Sequence, residues 1–281
     1  MPELPEAEIT KRKLSVLEGK TIAGFWCDWP RALRIVKSAA RINRDIKGFK
    51  ISKLRRRGKA IFIDLSGKGE KRLLAFHQRM SGKLIISSKS DNQNIKKSHI
   101  RAKLFFTDGM ELLFIDPRKF GIVWYGSAEK VMRDSYLASL GPDMLSLSLT
   151  GFKNRLNKKG MVKPVLLRQD VVAGIGNIIA DESLWRSKIH PTRQACGLSD
   201  KEITKLYDSI KQVIALGIKK GGTSMRDWGH PDGNKGRFQE NFKVYARKGG
   251  LCYDCKSGKI KRILVGGRGS WICPKCQSII Y

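Results

Sequence analysis

This chain has few acidic residues and no long apolar run. It also has few cysteines, and most of them lie in one short region. Only 25 of its 281 residues are aspartate or glutamate, against 56 lysines and arginines. No apolar run approaches the roughly 20 residues of a membrane-spanning helix, and the N-terminus has no signal-peptide core. These absences disfavour a membrane protein and a disulfide-stabilised secreted domain, so we expect a reducing, cytoplasmic location.

The excess of positive charge gives a formal net charge of +31, and it is spread along the chain rather than confined to a tail. Such a field favours a polyanionic partner. DNA or RNA is the first expectation, and an acidic membrane surface is the weaker alternative. The hydrophobic content of 41% fits a globular protein, and the length suggests two domains. Nothing in the sequence indicates an oligomer, so we expect a monomer.

The hydrophobic pattern changes along the chain. Residues 5–18 have helical spacing, whereas residues 21–125 contain short, β-rich apolar runs separated by polar or glycine turns. This regular series of short strands predicts a β-sandwich rather than alternating βαβ units. Strand signals stop near residues 127–145. Residues 200–217 then have helical spacing, with Ser199 and Glu202 placed as a capping box.

We therefore predict an α+β protein. The predicted order is an N-terminal β-sandwich domain with an N-terminal helix, a linker, a helical domain and a C-terminal β-hairpin. The expected boundaries are 1–130, 131–145, 146–240 and 241–281.

Four of the six cysteines form two pairs, each with two intervening residues, and 17 residues separate the pairs. This spacing is typical of one tetrahedral Zn²⁺ site, and four thiolates leave no open position for a substrate. A structural zinc is therefore the first expectation, with disulfides or an iron–sulfur centre as alternatives. The ligands would be Cys252, Cys255, Cys273 and Cys276.

The cysteine-containing segment is also basic. Residues 243–281 contain nine lysines and arginines and one aspartate, so this hairpin is expected to touch phosphate. Arg268 lies between glycines just before the second cysteine pair, where a flexible backbone can approach a ligand closely. From its position alone, Arg268 is equally well explained as a solvated side chain.

The N-terminus has the sequence Met-Pro-Glu-Leu-Pro-Glu. Removal of Met1 would leave a free secondary amine at Pro2, and an α-amine titrates near pH 8, below a lysine side chain. Such an amine attacks an aldehyde-level carbon to give an iminium with a fixed positive charge. The alternative is an ordinary helix start with acids near its positive end, and these residues alone favour that alternative.

Four other motifs are ambiguous on their own. The stretch 174–177 reads as a glycine turn into a helix N-terminus, which binds anions but also describes an ordinary capped helix. The stretch 116–121 places two cations and Phe120 in a turn, which suits insertion into a base stack or packing in the core. Met80 has the same two interpretations, and Lys59 at a strand start would usually be solvated.

Together these motifs resemble the formamidopyrimidine-DNA glycosylase family of bacterial repair enzymes, over essentially the whole chain. The matching motifs, in family order, are MPELPE at 1–6, RRGK at 56–59, MSG at 80–82, DPRKFG at 116–121, GIGNIIADE at 174–182, GGTSMRD at 221–227 and the cysteine segment. The resemblance implies a β-sandwich, a helix-two-turn-helix module and a zinc finger. It also implies a bifunctional glycosylase and abasic-site lyase that removes oxidised purines from double-stranded DNA.

The resemblance also implies the roles of individual residues. Pro2 would be the Schiff-base nucleophile and Glu3 the proton-transferring acid, while Lys59 and Arg268 would assist β- and δ-elimination. Met80, Arg118 and Phe120 would fill the space that the everted base leaves in the duplex. Base recognition would involve Glu6, Thr223 and Ser224. The DNA contacts would be His77, His99, Arg118, Lys119, Lys158 and Asn177.

The chain departs from the family pattern at two places: Gln78 replaces a usual apolar residue, and residues 228–231 form an unusual recognition loop. Both put the base preference in question. An endonuclease VIII-like enzyme for oxidised pyrimidines is therefore one alternative, although Leu4 favours the purine branch. A non-catalytic DNA-binding zinc-finger protein is the other.

Overall fold

The computed structural model describes residues 2–88, 95–225 and 228–279. The chain divides into two compact units. Unit 1 comprises Met1–Ala138 and Gly221–Gly236, and unit 2 comprises Ser139–Lys220 and Arg237–Tyr281. None of the described helices combines the length and the hydrophobicity required to cross a bilayer.

Unit 1 is the β-sandwich that the strand pattern predicted. It contains a four-stranded sheet in the order β1-β7-β8-β6 and a five-stranded sheet in the order β2-β9-β5-β4-β3. Neighbouring strands are antiparallel except β2 and β9. The strands are β1 Ile22–Cys27, β2 Leu33–Ile35, β3 Lys50–Arg57, β4 Ala60–Gly67, β5 Glu70–His77, β6 Lys83–Ser87, β7 Ile100–Phe106, β8 Glu111–Ile115 and β9 Ile122–Gly126.

One hydrophobic core lies between the two sheets. Ile61 and Phe76 of the larger sheet pack in the same cluster as Leu104 and Leu112 of the smaller one. Burial of side chains from both inner faces stabilises the sandwich because each removes apolar area from water. The helices that accompany the sheets are α1 Leu4–Leu14, α2 Ala39–Ile46, α3 Ala128–Met132 and α4 Ser135–Ser139, the last of which reaches the boundary of unit 2. The predicted N-terminal helix ends in a 3-10 turn at Ser15–Leu17.

Unit 2 is helical and ends in a small hairpin. Its helices are α5 Leu149–Leu156, α6 Val162–Leu167, α7 Asn177–Ser187 and α8 Asp200–Lys219, and its strands are β10 Lys261–Val265 and β11 Arg268–Ile272. The start of α8 confirms the predicted capping box: the Ser199 hydroxyl accepts the Glu202 N–H, and the Glu202 carboxylate accepts the Ser199 N–H. Two N–H groups without helical partners are thereby satisfied.

Candidate active site and nucleic-acid interface

The first turn of α1 is buried, although its sequence is polar. Pro2 and Glu3 are both buried, and Glu3 is the N-cap residue of the helix. The Glu3 N–H belongs to the peptide bond that follows Pro2, and it donates a hydrogen bond of 2.7 Å to Oε2 of Glu6. This contact fixes the plane of the peptide that joins Pro2 to Glu3.

Glu6 also binds a segment more than 200 residues away in sequence. Its second oxygen, Oε1, accepts the backbone N–H of Thr223 at 2.8 Å. Burial raises the pKa of this carboxyl above its usual value, the negative charge of Glu3 raises it further, and the two backbone N–H groups oppose the shift. The helix start and the 221–236 segment, both parts of unit 1, are thus joined through one buried carboxylate.

The 221–236 segment contains two of the three residues predicted to recognise the base, Thr223 and Ser224. The Thr223 Oγ1 atom is buried and has no hydrogen-bond partner among the described residues, whereas the Ser224 hydroxyl accepts the Gly236 N–H at 2.9 Å. Gly222 has a φ of +75°, and a Cβ there would lie 3.0 Å from the Trp228 ring. Trp228 is buried against this turn. The unusual residues at 228–231 therefore help to shape the segment that holds Thr223.

Lys59 lies in the β3–β4 turn and is only 7% exposed, so the interpretation of a solvated strand-start lysine is wrong. Gly58 before it has a φ of +59°, which glycine tolerates without strain. Nearby, Arg56 donates from Nε to Oε2 of Glu8 at 2.9 Å, and both side chains are largely buried. This ion pair holds the turn that contains Lys59 against α1.

His77 and Gln78 are internal, at the end of β5. His77 pairs with Ala60 in the register of β4 and β5, its Nδ1 accepts the Arg79 N–H, and its ring meets Tyr136 edge-on. Burial lowers the pKa of His77 to about 3, with the charges of Arg79 and Lys59 adding to the effect. Gln78 donates to the Thr10 hydroxyl of α1 at 3.3 Å. Gln78, the first of the two departures from the family pattern, thus lies against α1.

One buried carboxylate, Asp116, organises two of the sequence motifs. It accepts hydrogen bonds from the Ser81 hydroxyl and from the Gly121 N–H, the latter at 2.6 Å. A Cβ at Gly121 would lie 2.2 Å from Cζ of Phe114, and one at Gly82 would lie 2.4 Å from the Gln78 carbonyl oxygen. Only glycine fits at either position, so the two loops can meet at Asp116.

Asp116 with its two donors, Ser81 and Gly121, is called the Asp116 clamp below. The side chains next to this clamp point outward. Met80 precedes Ser81 and is 45% exposed, and Phe120 precedes Gly121 and is 50% exposed, so neither packs in the sandwich core. The Arg118 guanidinium lies 4.9 Å from the Phe120 ring centre. Lys119 is exposed, with its ammonium 4.2 Å from the ring centre of Trp29. Two exposed apolar side chains and two cations on one pair of loops suit contact with stacked bases and phosphates.

His99 adjoins the same loops. It is half-buried, and its carbonyl accepts the Asp116 N–H at 2.9 Å. Six predicted site residues of unit 1 therefore lie on or beside the Asp116 clamp or at the end of β5 that leads into it: Met80, Arg118, Phe120, His99, Lys119 and His77.

In unit 2, the predicted anion site lies beside the hairpin. Asn177 is the first residue of α7, and its Nδ2 donates to the Gly269 carbonyl at 3.1 Å. Its Oδ1 atom has no hydrogen-bond partner among the described residues. This contact ties the helix N-terminus to the residue after Arg268. Arg268 and Lys158 are both exposed and so remain accessible to phosphate.

Lys163 and Asp181 form a buried ion pair that the sequence reasoning missed. Lys163 is fully buried on α6, and its Nζ lies 2.7 Å from Oδ1 of Asp181 on α7. Lys163 also donates to the Ser270 hydroxyl at 2.6 Å, and Asp181 accepts the Trp271 N–H. Burial raises the pKa of Asp181 to about 7, although Lys163 opposes the shift. The available signal was a charged residue within the apolar stretch 161–167 and another directly after the apolar run 178–180.

A neighbouring acid, Glu182, fixes the chain that enters the hairpin. Its carboxylate accepts backbone N–H groups of Lys243, Val244 and Tyr245 at 2.9 to 3.0 Å. Together with Lys163, Asp181 and Asn177, it attaches the hairpin to α6 and α7. The position of Arg268 is therefore set by helices as well as by the hairpin's own two strands.

The four cysteines predicted to bind metal converge, and their ligand atoms lie within 4.8 Å of one another. The Cys252–Cys276 and Cys255–Cys273 sulfur separations are both 3.7 Å, close to the edge of about 3.8 Å expected for a tetrahedron with metal–sulfur bonds of about 2.3 Å. Disulfide bonds are excluded at these separations.

The surroundings of two of the four cysteines, Cys252 and Cys255, favour thiolates by lowering their pKa. The Gly258 N–H donates to Cys255 at 3.2 Å, and the Trp185 indole N–H donates to Cys252 at 3.3 Å. Backbone N–H groups of Ser257 and Gly258 lower the pKa of Cys255 to about 6. A Cβ at Gly258 would lie 2.5 Å from the Cys273 sulfur. The donor set and its geometry fit a tetrahedral metal ion.

Comparison with known proteins covers both units. Residues 1–123 match the model of the formamidopyrimidine-DNA glycosylase N-terminal domain. Residues 140–228 match the model of the formamidopyrimidine-DNA glycosylase H2TH domain. The formamidopyrimidine-DNA glycosylase of Heliobacterium modesticaldum is 38% identical, over 99% of this chain and 100% of the relative. That of Geobacillus kaustophilus is 37% identical over the same shares.

Solved structures agree with the sequence relatives. A Lactococcus lactis Fpg mutant in complex with a Fapy-dG-containing DNA superimposes with a TM-score of 0.88 and 31% identity, covering 99% of this chain and 100% of that one. The Lactococcus lactis Fpg in complex with an abasic-site-containing DNA gives a TM-score of 0.87, with the same identity and coverage. The wild-type protein in complex with an oxidized-pyrimidine-containing DNA gives 0.86.

Proposed function

This chain belongs to the formamidopyrimidine-DNA glycosylase family, and on that premise we propose that it is a base-excision-repair DNA glycosylase and abasic-site lyase. Its substrates are duplexes that contain oxidised purines, namely 8-oxoguanine and formamidopyrimidines, or abasic sites. It acts as a monomer in the cytoplasm, where DNA and a reducing environment for metal-binding thiolates coexist.

Pro2 is the nucleophile in this proposal. After removal of Met1, its secondary amine attacks C1′ of the damaged nucleotide. The base leaves with the electron pair of the glycosidic bond. The C1′–O4′ bond then breaks as the nitrogen lone pair forms the iminium, and Glu3 supplies the proton that O4′ accepts. The resulting iminium acidifies the C2′ proton, whose loss lets the 3′ phosphate depart. Lys59 assists this β-elimination, and Arg268 assists the δ-elimination that releases the 5′ phosphate. One amine thus serves both activities.

The site must also open the duplex, because a stacked base hides its sugar and its edge. Met80, Arg118 and Phe120 fill the space that the everted nucleotide leaves, which their exposure at the Asp116 clamp supports. Glu6, Thr223 and Ser224 receive the everted base. The phosphate contacts come from His99, Lys119, Lys158 and Asn177, with His77 supporting its loop from inside.

The four-cysteine site holds one Zn²⁺ in this proposal. Zinc bound by four thiolates supplies structure and no open coordination position, so no step of the reaction passes through it. Cys252, Cys255, Cys273 and Cys276 hold the ion, and the hairpin they stabilise presents Arg268.

The Glu6 carboxylate is the observation on which the assignment chiefly depends. It accepts the N–H of Glu3, beside the proposed nucleophile, and the N–H of Thr223, beside the proposed base pocket. The bond to the Glu3 N–H completes an ordinary capping box, but helix capping does not require the second bond, to Thr223. Burial of an acidic side chain costs free energy unless it is well hydrogen-bonded, so its presence favours a functional arrangement.

Borohydride trapping tests the proposal. Incubation with an 8-oxoguanine:cytosine duplex and borohydride should give a covalent protein–DNA adduct. Pro2→Leu, which retains Met1, should abolish the adduct, whereas the matched variant Pro5→Ala should keep it. Trapping that survives Pro2→Leu, or no trapping of the native protein on 8-oxoguanine or abasic DNA, would contradict the proposal.

The substrate class needs a second measurement, because a Lactococcus lactis relative has been crystallised with an oxidized-pyrimidine-containing DNA. Cleavage of 8-oxoguanine and thymine-glycol duplexes should be compared under single-turnover conditions. Faster cleavage of the 8-oxoguanine duplex is expected, and the reverse order would favour the endonuclease VIII-like alternative.

A further inference from the structure

Apart from the proposed DNA-binding loops, unit 1 contains a basic pocket of about 1050 Å³ beside α2 and the β4–β5 turn. Its walls come from four separate parts of the unit: β2 with α2, the β4–β5 turn, β5 and the start of α3. Six cationic side chains line it, and Asp45 is its one acidic lining residue. The cations are Lys37, Arg41, Arg44, Lys68, Arg72 and Lys130.

Most of these charges are not neutralised. Arg72 pairs with Asp45 and Glu70, and Lys68 donates to the Asp45 carbonyl at 3.3 Å. Within the part of the chain that the structure describes, the side chains of the other four lining cations form no ion pair. Like charges gathered around one concavity repel each other, and an anion in the pocket would relieve that repulsion.

The backbone around the pocket has two further features. Ile35 has a φ of +68°, which strains a β-branched residue, and strained residues concentrate at binding sites. Ser38 caps the eight-residue helix α2, and no acidic residue occupies the first turn of that helix. The positive end of the α2 dipole is therefore at the pocket, where it adds to the field of the side chains.

The pocket is remote from the proposed catalytic residues. Lys59 precedes β4 and Lys68 follows it. An eight-residue strand spans about 25 Å at about 3.3 Å per residue. The two lysines therefore lie at opposite ends of the sandwich, and the six cations are not part of the site around Pro2.

We propose that this pocket binds a compact oligophosphate, either a free nucleoside triphosphate or an inorganic polyphosphate. Adjacent phosphates match cations that converge from several sides, and arginine suits them because its planar group bonds two oxygens at once. A DNA duplex is convex and would reach only the rim of such a concavity. Ile35 and Val36 give the pocket an apolar wall against which a base can pack.

The test uses the full-length protein saturated with a duplex that carries a stable abasic-site analogue, so that the DNA site is occupied. Tripolyphosphate is titrated into this complex in a calorimeter, and one bound anion per chain is expected. Arg41→Ala/Arg44→Ala removes two exposed cations from α2 and should weaken binding by at least about tenfold. The matched control Lys201→Ala/Lys205→Ala removes two exposed charges from α8 and should leave binding unchanged.

A second titration with ATP distinguishes the two ligand sources. Tighter binding of ATP than of tripolyphosphate would identify a nucleotide site, and equal binding would identify a site for phosphates alone. Three results would overturn the proposal. They are no binding of tripolyphosphate to the DNA-saturated protein, equal weakening in the control variant, and a pocket variant that loses affinity for the duplex but not for tripolyphosphate. The same titration on DNA-free protein does not depend on DNA binding. It therefore tests the pocket even if the glycosylase assignment fails.

Discussion

The carboxylate of Glu6 and the backbone N–H of Thr223, 217 positions apart in sequence, are joined by a buried hydrogen bond of 2.8 Å. The same carboxylate holds the Glu3 N–H. A change in the loop around Thr223 is therefore transmitted to the peptide that follows Pro2. In a glycosylase, this contact would align the nucleophile with the everted base.

Glu6→Gln should reduce base excision. A neutral amide presents one accepting atom where the carboxylate presents two, so one of the two N–H groups loses its partner. The loss of about 1–3 kcal/mol corresponds to a decrease of about 5- to 150-fold in kcat/KM on an 8-oxoguanine duplex. Activity on an abasic duplex should change less, because no base is held there. Glu129→Gln, an exposed acid on α3, serves as the control. Equal losses on both duplexes would argue against a role in base positioning.

Phe120→Ala should separate activity from stability. The side chain is 50% exposed, so its loss should change the free energy of unfolding by less than about 0.5 kcal/mol. Base stacking on an aromatic ring contributes about 1–3 kcal/mol, so excision from the lesion duplex should fall about fivefold or more. Val16→Ala, another exposed apolar residue, should affect neither quantity. A large drop in Tm for Phe120→Ala would instead indicate a structural role.

His77 should make unfolding sensitive to acid. Its pKa is about 3 in the folded protein and about 6.5 when unfolded, so between these values the unfolded state binds the extra proton. Above pH 6.5 the neutral His77 costs the folded state nothing. As the pH falls from 6.5 towards 3, the free energy of unfolding decreases because only the unfolded state takes up the proton. His77→Asn keeps an acceptor for the Arg79 N–H but does not titrate. Between pH 6 and 4, urea unfolding should show a slope of stability against pH that is smaller by about 1.4 kcal/mol per unit. An unchanged slope would show that His77 is protonated in the folded protein.

The metal site should be necessary for DNA binding. Cys276→Ser or a strong chelator should release about one zinc ion per chain, measured with a colorimetric zinc indicator, and should reduce affinity for lesion duplexes. The hairpin has only a small core around Val244, Ile260 and the cysteines, so we expect its fold to depend on the metal. Cys196→Ser, which alters an exposed free cysteine, is the matched control. A native protein without stoichiometric zinc would contradict the assignment.

The Lys163–Asp181 pair should stabilise unit 2 strongly. Lys163→Met leaves Asp181 buried without its cation, which should destabilise the protein by about 3–5 kcal/mol. Asp181→Asn in the same chain removes the uncompensated charge and should restore part of the loss. Chemical denaturation of the two single variants and the double variant completes a mutant cycle. Strictly additive effects would show that the two residues are not coupled.

Some features of this protein follow from short stretches of sequence. The cysteine spacing predicts a four-thiolate site because the two-residue gaps bring each pair of sulfurs together locally. Ser199 and Glu202 predict the start of α8 because a capping box forms within one turn. The series of short apolar runs predicts a sandwich because each strand and turn can be recognised from a few neighbouring residues. The resemblance to a family rests on motifs of this kind, read in order.

Other features depend on contacts that are distant in sequence. The sequence alone favoured a solvated Lys59, whereas packing buries it, and packing also buries the helix start at Pro2. His77 and Gln78 are adjacent to the exposed loops in sequence but turn inward. The Lys163–Asp181 pair and the six-cation pocket join several elements. Local propensity does not encode such pairings, because burial, desolvation and the distance between charges are defined only once the chain has packed.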